Sequence, residues 1–374
     1  MSAQHAGRAV VAAPTGMQSF SVRLLDWFAR EGRHDLPWQH PRSAYRVWLS
    51  EIMLQQTRVQ TVIPYFARFV AALPDLPALA RAGSDEVMAL WSGLGYYARA
   101  RHLHAAAKQC VAHHGGELPD DFDALLALPG IGRSTAGAIL SQAHGLKFPI
   151  LDGNVRRVLA RWRGIEGWPG AAAIERELWQ LAQSLLPDEH LPDYAQGLMD
   201  LGATVCTRAD PDCARCPLRA DCVALRSLRT AELPASRPGK PLPRRACVML
   251  VAFDGEGRVL LQKREAPGVW NGLWSLPEVP DAAVLDVFIR QHLHAPNAAR
   301  ALPAFEHVFS HYRLAIQPQR RDGVAPRPRV AESGPELRWA APGEWPGIGL
   351  PAPVRKLLLS SLRAESPLSA KEFP

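Results

Sequence analysis

Apolar residues recur at three- and four-residue intervals through most of the chain up to Leu225. The segments Ser43–Ala72, Ser84–His114, Ser134–His144 and Gly153–Trp162 carry this helical period, and proline or glycine punctuates them. No alternating strand pattern interrupts them, so Ser19 to Leu225 predicts an all-α domain. Beyond Arg226 the pattern changes. Residues 226–245 are rich in proline and arginine and lack an apolar period, which predicts a basic linker. Ala246–Phe253 and Arg258–Lys263 then flank Asp254-Gly255-Glu256-Gly257, a hairpin signature. Strand-like pieces near Glu306–Gln317 and Glu336–Trp339, with a helix near Asp281–His294, predict a separate α+β domain.

Composition sharpens this outline. A chain of 374 residues with 47% hydrophobic positions is expected to fold as two or three domains rather than remain disordered. The expected division is a flexible tail at 1–18, a helical domain at 19–225, the linker at 226–245, the mixed domain at 246–365 and a second tail at 366–374. The net charge of +7 suits a polyanionic partner without specifying one. No apolar stretch approaches the roughly 18 residues of a membrane helix. Met1 to Gly16 is small and polar, unlike a secretory signal, and a cytoplasmic protein without membrane association is expected.

Four of the six cysteines, Cys206, Cys213, Cys216 and Cys222, form the pattern C-x6-C-x2-C-x5-C. A disulfide framework would spread its cysteines through a short secreted chain. Clustered thiolates instead surround a soft metal centre, zinc or iron–sulfur, and this spacing leaves the choice between them open. Cys110 and Cys247 read as small buried hydrophobes.

Three further strings carry chemistry. Leu128-Pro129-Gly130-Ile131-Gly132-Arg133-Ser134-Thr135-Ala136 joins two helical segments through Gly130 and Gly132. Such a turn lets a ligand approach the backbone, and the helix behind it offers free N–H groups to a phosphate; it could equally be a plain helix connection. Asp152, just ahead of a helix, has the position of an N-cap. Glu51 is flanked by Trp48, Leu49, Ile52, Met53 and Leu54, so half-burial and a raised pKa are expected.

Taken in order, the Glu51 helix, Gly93–Arg101, the glycine turn, the Asp152 turn and the cysteine loop resemble the helix-hairpin-helix, endonuclease III-like superfamily and, within it, the adenine DNA glycosylase family. The resemblance runs from about Ser19 to Leu362. It implies a multidomain fold: an all-α helix-hairpin-helix glycosylase domain with a [4Fe–4S] loop at 206–222, followed by an α+β Nudix-like domain. It implies base removal from adenine paired with 8-oxoguanine or guanine in double-stranded DNA, after the base has flipped out of the duplex. In that scheme Glu51 is the general acid that protonates adenine, and Asp152 stabilises the oxocarbenium-like sugar.

The same resemblance assigns the remaining candidates. Cys206, Cys213, Cys216 and Cys222 would hold the [4Fe–4S] cluster, with Arg208, Arg215 and Arg219 near phosphates. Gln55, Gln56 and Tyr96 would wedge into or line the opened duplex, with Arg99 and Arg101 as phosphate holders. Gly130, Gly132 and Ser134 would grip the DNA backbone, and Asn154 would support Asp152. Bifunctional relatives place a lysine nucleophile where this chain has Ser134, so a monofunctional enzyme is expected. Phe309, Ser310 and His311 match a loop that touches 8-oxoguanine. The R-E-x-x-E-E run of a working Nudix hydrolase does not follow Gly272, so that hydrolysis is not expected. The implied setting is a monomer on the nucleoid of a bacterial cell. The rival readings are an endonuclease III-type lyase and a non-catalytic DNA-binding or electron-transfer protein; Ser134, Glu51 and Asp152 speak against them.

Overall fold

The computed structural model describes residues 15–239, 241–265, 268–327 and 335–363. The tails expected at 1–18 and 366–374 lie outside these residues, except that 15–18 open the first helix. The helices in chain order are α1 (Thr15–Glu31), α2 (Ala44–Leu54), α3 (Val59–Ala72), α4 (Leu76–Arg81), α5 (Ser84–Trp91), α6 (Ala98–His113), α7 (Phe122–Ala127), α8 (Arg133–His144), α9 (Gly153–Arg163), α10 (Ala172–Ser184), α11 (Leu191–Asp200) and the short α12 (Val223–Arg226). Two of the expected long helical segments are each broken in two, at Gln55–Arg58 and at Ser92–Tyr97. The first strands are β1 (Arg244–Ala252), β2 (Val259–Lys263), β3 (Trp274–Ser275) and β4 (Glu278–Val279), followed by α13 (Ala282–His292). Then come β5 (Leu293–His294), β6 (Arg300–Ala301), β7 (Phe305–Val308), β8 (Arg313–Arg321), β9 (Ala325–Pro326), β10 (Leu337–Ala340) and α14 (Ala352–Arg363).

Contacts group the chain into two compact units, residues 1–55 with 113–239, and residues 56–112 with 240–374. The first unit is helical. Helix α2 packs on α8, and α11 packs on both α1 and α8. The helices start and stop where side chains satisfy their ends. Ser43, Asp121 and Asp152 accept N–H bonds as N-caps, while Gly145 and Gly164 close α8 and α9 in the left-handed conformation. Phe20, Leu24, Trp27, Phe28, Leu159, Leu178 and Leu198 form the core, each such side chain contributing about 1.5–3 kcal/mol on burial. Within it the buried Asp200 accepts from the Arg33 backbone N–H at 2.8 Å, Arg33 Nε at 3.0 Å and Gln196 Nε2 at 2.7 Å. These bonds fix the end of α11, which continues as a π-helical turn, Leu201–Val205, into the cysteine loop.

In the second unit, β1 lies between β4 and β8, and it pairs in parallel with β8 from Arg244↔Arg313 to Ala252↔Arg321. Strand β2 belongs to another sheet, β10–β2–β3. The turn expected at Asp254–Gly257 is present, with Asp254 N–H bonded to Arg258 O at 3.0 Å. The strands on either side meet only at the Phe253↔Val259 bridge, so the expected hairpin does not extend along them. The strand expected across Glu306–Gln317 is two strands, β7 and β8, separated by the turn that carries Phe309, Ser310 and His311. No helix among the described residues is long and apolar enough to cross a membrane.

Candidate active site

Glu51 and Asp152 belong to the first unit and converge. Trp48, Ile52 and Met53 bury one side of α2 and hold Glu51 partly buried on its neighbouring face. Its Oε1 accepts from Gln142 Nε2 at 3.3 Å, a buried amide on the face of α8 that packs on α2. Burial, and after it the charge of Asp152, raise the Glu51 carboxyl to about 7.

Asp152 is built differently. As the N-cap of α9, its Oδ1 accepts from Val155 N–H at 2.7 Å, and its Oδ2 from Asn154 Nδ2 at 3.2 Å. Burial pushes its pKa upward, while these donors and the Arg157 charge pull it down. The approach to Asp152 is also pinned, because Ser134 Oγ accepts from Leu151 N–H at 3.0 Å. Burial thus raises both carboxyls, and the charge of Asp152 adds to the rise at Glu51. Donors concentrate on Asp152, whereas Glu51 accepts one long bond from the Gln142 amide.

A network that the sequence did not suggest runs onward from Asp152. Asn154 Oδ1 accepts from Arg157 Nη2 at 2.8 Å, and the same guanidinium donates to Gly202 O at 2.7 Å and Cys206 O at 2.8 Å. One helical turn further, Arg161 donates to Thr207 O at 2.6 Å and Leu233 O at 2.8 Å and lies 3.4 Å from Cys206 Sγ. Asn154, Arg157 and Arg161 share one face of α9 by their spacing. Gly202 permits the approach: a Cβ there would lie 2.6 Å from Asn154 Cβ.

Cys206, Cys213, Cys216 and Cys222 carry free thiols and line one small cavity of about 20 Å³ together with Arg161 and Pro211. Among the described residues, no group of three or more His, Cys, Asp or Glu side chains has the geometry to hold a metal ion. Arg208, Arg215 and Arg219 are exposed, and Arg215 is paired with Glu31 at 2.6 Å. The glycine turn is a hairpin between α7 and α8. Gly130 adopts φ +78°, and a Cβ at Gly132 would meet no atom within 4 Å, leaving the turn open to an approaching backbone.

The other candidates sit at breaks in regular structure. Gln55, the C-cap of α2 in the first unit, is exposed. In the second unit Gln56 is exposed with φ +58°, and Tyr96 is 51% exposed with φ +48°. Arg99, expected to hold phosphate, is instead buried. It donates to Gly95 O at 3.1 Å and stacks 5.3 Å from the Trp91 ring. Arg101 donates to Asn271 O at 2.6 Å. Ser310 and His311 are exposed on a tight turn closed by Phe309 N–H to Tyr312 O at 2.9 Å. Phe309 packs among Trp270, His307 and Tyr312, with ring centroids 5.2, 4.6 and 4.7 Å away.

Comparison with known proteins places this geometry. Residues 49–184 match the HhH-GPD superfamily base excision DNA repair protein family, and residues 248–360 match the NUDIX domain. The fold is that of a helix-hairpin-helix DNA glycosylase joined to a Nudix domain. An adenine DNA glycosylase of Buchnera aphidicola subsp. Acyrthosiphon pisum is 36% identical over 91% of this chain and 96% of its own. One of Mus musculus is 44% identical over 80% of this chain and 70% of its own. The solved structure of a thermostable thymine-DNA glycosylase aligns with a TM-score of 0.51 and 27% identity, covering 56% of this chain and 97% of its own. The chain belongs to the adenine DNA glycosylase family and is an enzyme.

Proposed function

We propose that the enzyme hydrolyses the N-glycosidic bond of adenine opposite 8-oxoguanine or guanine in duplex DNA, without cutting the strand itself. The observation that carries this reading is the pair of carboxylates, Glu51 and Asp152, in one site with unequal sets of donors. Adenine leaves poorly as an anion, and protonation at N7 lets it leave neutral. Glu51, holding its proton near neutral pH, supplies that acid. Asp152, its oxygens directed by Val155 N–H and Asn154 Nδ2, is the anion that faces the positive charge growing on the sugar. The base must leave the stack to reach them, and Gln55, Gln56 and Tyr96 are the residues we assign to the opened duplex. Gly130, Gly132 and Ser134 present the hairpin to the DNA backbone. Phe309, Ser310 and His311 face the opposite lesion.

The donor set at the cysteine loop fits an iron–sulfur cluster. Four free thiols line one cavity, and thiolates are the ligands that iron–sulfur clusters take. Cys206, Cys213, Cys216 and Cys222 would hold the [4Fe–4S] cluster, whose contribution when bound is to cross-link the loop. Arg157 and Arg161 then tie that loop to the helix that begins at Asp152. The domains proposed are the helical glycosylase domain to residue 225, the linker to 245 and the Nudix-like domain beyond. The enzyme works as a monomer in the bacterial cytoplasm, on the nucleoid.

The test is single-turnover reaction with an end-labelled duplex containing adenine opposite 8-oxoguanine, read with and without alkali. Breaks that appear only after alkali are expected. Intact strands after alkali, or nicking without it, would contradict the reading.

A further inference from the structure

The second unit holds a turn whose conformation is expensive and whose supports come from far along the chain. Within Ser92–Tyr97, three residues are left-handed: Gly93 at φ +107°, Gly95 at +73° and Tyr96 at +48°. For tyrosine that region is disfavoured, and it persists only where surroundings over-determine it. The ring of Tyr96 nevertheless points outward and is half exposed.

Two sets of bonds impose this shape. From within, Arg99 donates to the carbonyls of Gly95 at 3.1 Å and Tyr96 at 3.4 Å, and Trp91 Nε1 donates to Gly95 O at 3.2 Å. From the C-terminal residues, the Leu350 carbonyl accepts from Ser92 Oγ at 2.9 Å and Tyr97 Oη at 3.3 Å. Tyr97 Oη in turn accepts from Gly93 N–H at 3.2 Å. The Arg355 guanidinium, on α14, donates to Ser92 Oγ at 3.2 Å and Ile348 O at 3.1 Å, binding the Leu350 segment to the turn.

We propose that the C-terminal residues of this unit, through Leu350 and Arg355, position Tyr96 for insertion into DNA, with Ser92, Tyr97 and Arg355 acting as positioning residues. This rests on the assignment of Tyr96 to the opened duplex. A wedge must be held rigid before the base moves, because ordering it during the encounter would slow flipping. The C-terminal part thus contributes to the first step of the reaction in addition to contacting the opposite base.

The experiment is a double-mutant cycle on the full chain. Single-turnover excision and base flipping, the latter followed by 2-aminopurine fluorescence beside the target adenine, are measured for Arg355→Met, Tyr97→Phe, Tyr96→Ser and each double variant. Arg355→Met and Tyr97→Phe are each expected to slow flipping and excision by about 3- to 10-fold, the loss of one or two hydrogen bonds. Arg355→Lys should recover part of the loss. On the Tyr96→Ser background neither substitution should slow the enzyme further. Equal slowing on that background, or wild-type rates in both single variants, overturns the positioning role. Wild-type flipping and excision by Tyr96→Ser would instead overturn the assignment of Tyr96 itself, and the proposal with it.

Discussion

The middle of α2 and the start of α9 each present one carboxylate to the same site, and they do so by opposite means. Glu51 sits on a helix face, where regular structure offers its side chain no donors. Among the described residues it accepts one side-chain hydrogen bond, from Gln142 Nε2 at 3.3 Å. Asp152 sits at a helix N-terminus, where free N–H groups and the helix dipole favour an anion. The first environment favours a proton, whereas the second supplies donors that offset the burial of a charge. The same functional group placed at two kinds of helix position thus meets opposite surroundings, the contrast on which the proposed roles of acid and anion rest.

The largest effect expected from breaking this contrast is in Asp152→Asn. The amide preserves the cap but removes the charge, so single-turnover excision should fall by about 10³-fold while binding to lesion duplex in a filter or gel assay is retained. Glu51→Gln removes the acid instead, and excision should fall by about 10²- to 10⁴-fold. That variant carries a second signature with a definite sign. Folding raises the Glu51 pKa from 4.5 to about 7, so the folded state holds the proton more tightly than the unfolded chain. Its contribution to stability is present below pH 4.5 and is lost as pH rises towards 7. Glu51→Gln should therefore melt a few degrees higher than wild type above pH 7, and the gap should close towards pH 4.5. Equal melting temperatures at pH 8 would mean that Glu51 is not held in a desolvated site.

Smaller changes sharpen the contrast. Asn154→Ala removes one donor from Asp152 and the acceptor of Arg157, and should slow excision by about tenfold. Gly202→Ala forces a methyl against Asn154 and should produce a similar loss with reduced stability. A rate unchanged in both would show that the route from Asp152 to the cysteine loop carries no functional load. The smallest effect belongs to Ser134→Ala. It leaves Leu151 N–H unpaired at a cost of about 1 kcal/mol, seen as a slightly lower melting temperature, and strand breaks should still require alkali.

Local chemistry was legible in the sequence where one residue determines it. Asp152 as an N-cap, half-buried Glu51 among apolar neighbours and the glycine hairpin follow from adjacent residues. What depends on distant partners did not. The break in α2 falls at Gln55–Gln56, where no proline or glycine marks it, and Gln56 adopts a left-handed conformation that nothing nearby announces. The Asp254–Gly257 turn was readable, but β1 selects β8 as its partner, a choice no short-range signal encodes. Arg99 reads as a phosphate holder, yet the fold buries it against Trp91. Gln142 and Arg157 left fainter traces: a polar side chain on the buried face of α8, and one member of the Asn154–Arg157–Arg161 stripe.

The most direct test of the division between the two carboxylates is the pH dependence of single-turnover excision on the adenine–8-oxoguanine duplex. With Glu51 as the acid, the rate should fall tenfold per unit well above pH 7, and in Glu51→Gln this limb should vanish along with most of the activity. A wild-type rate that is flat or rising from pH 6 to 9 would contradict the assignment of Glu51 as the acid.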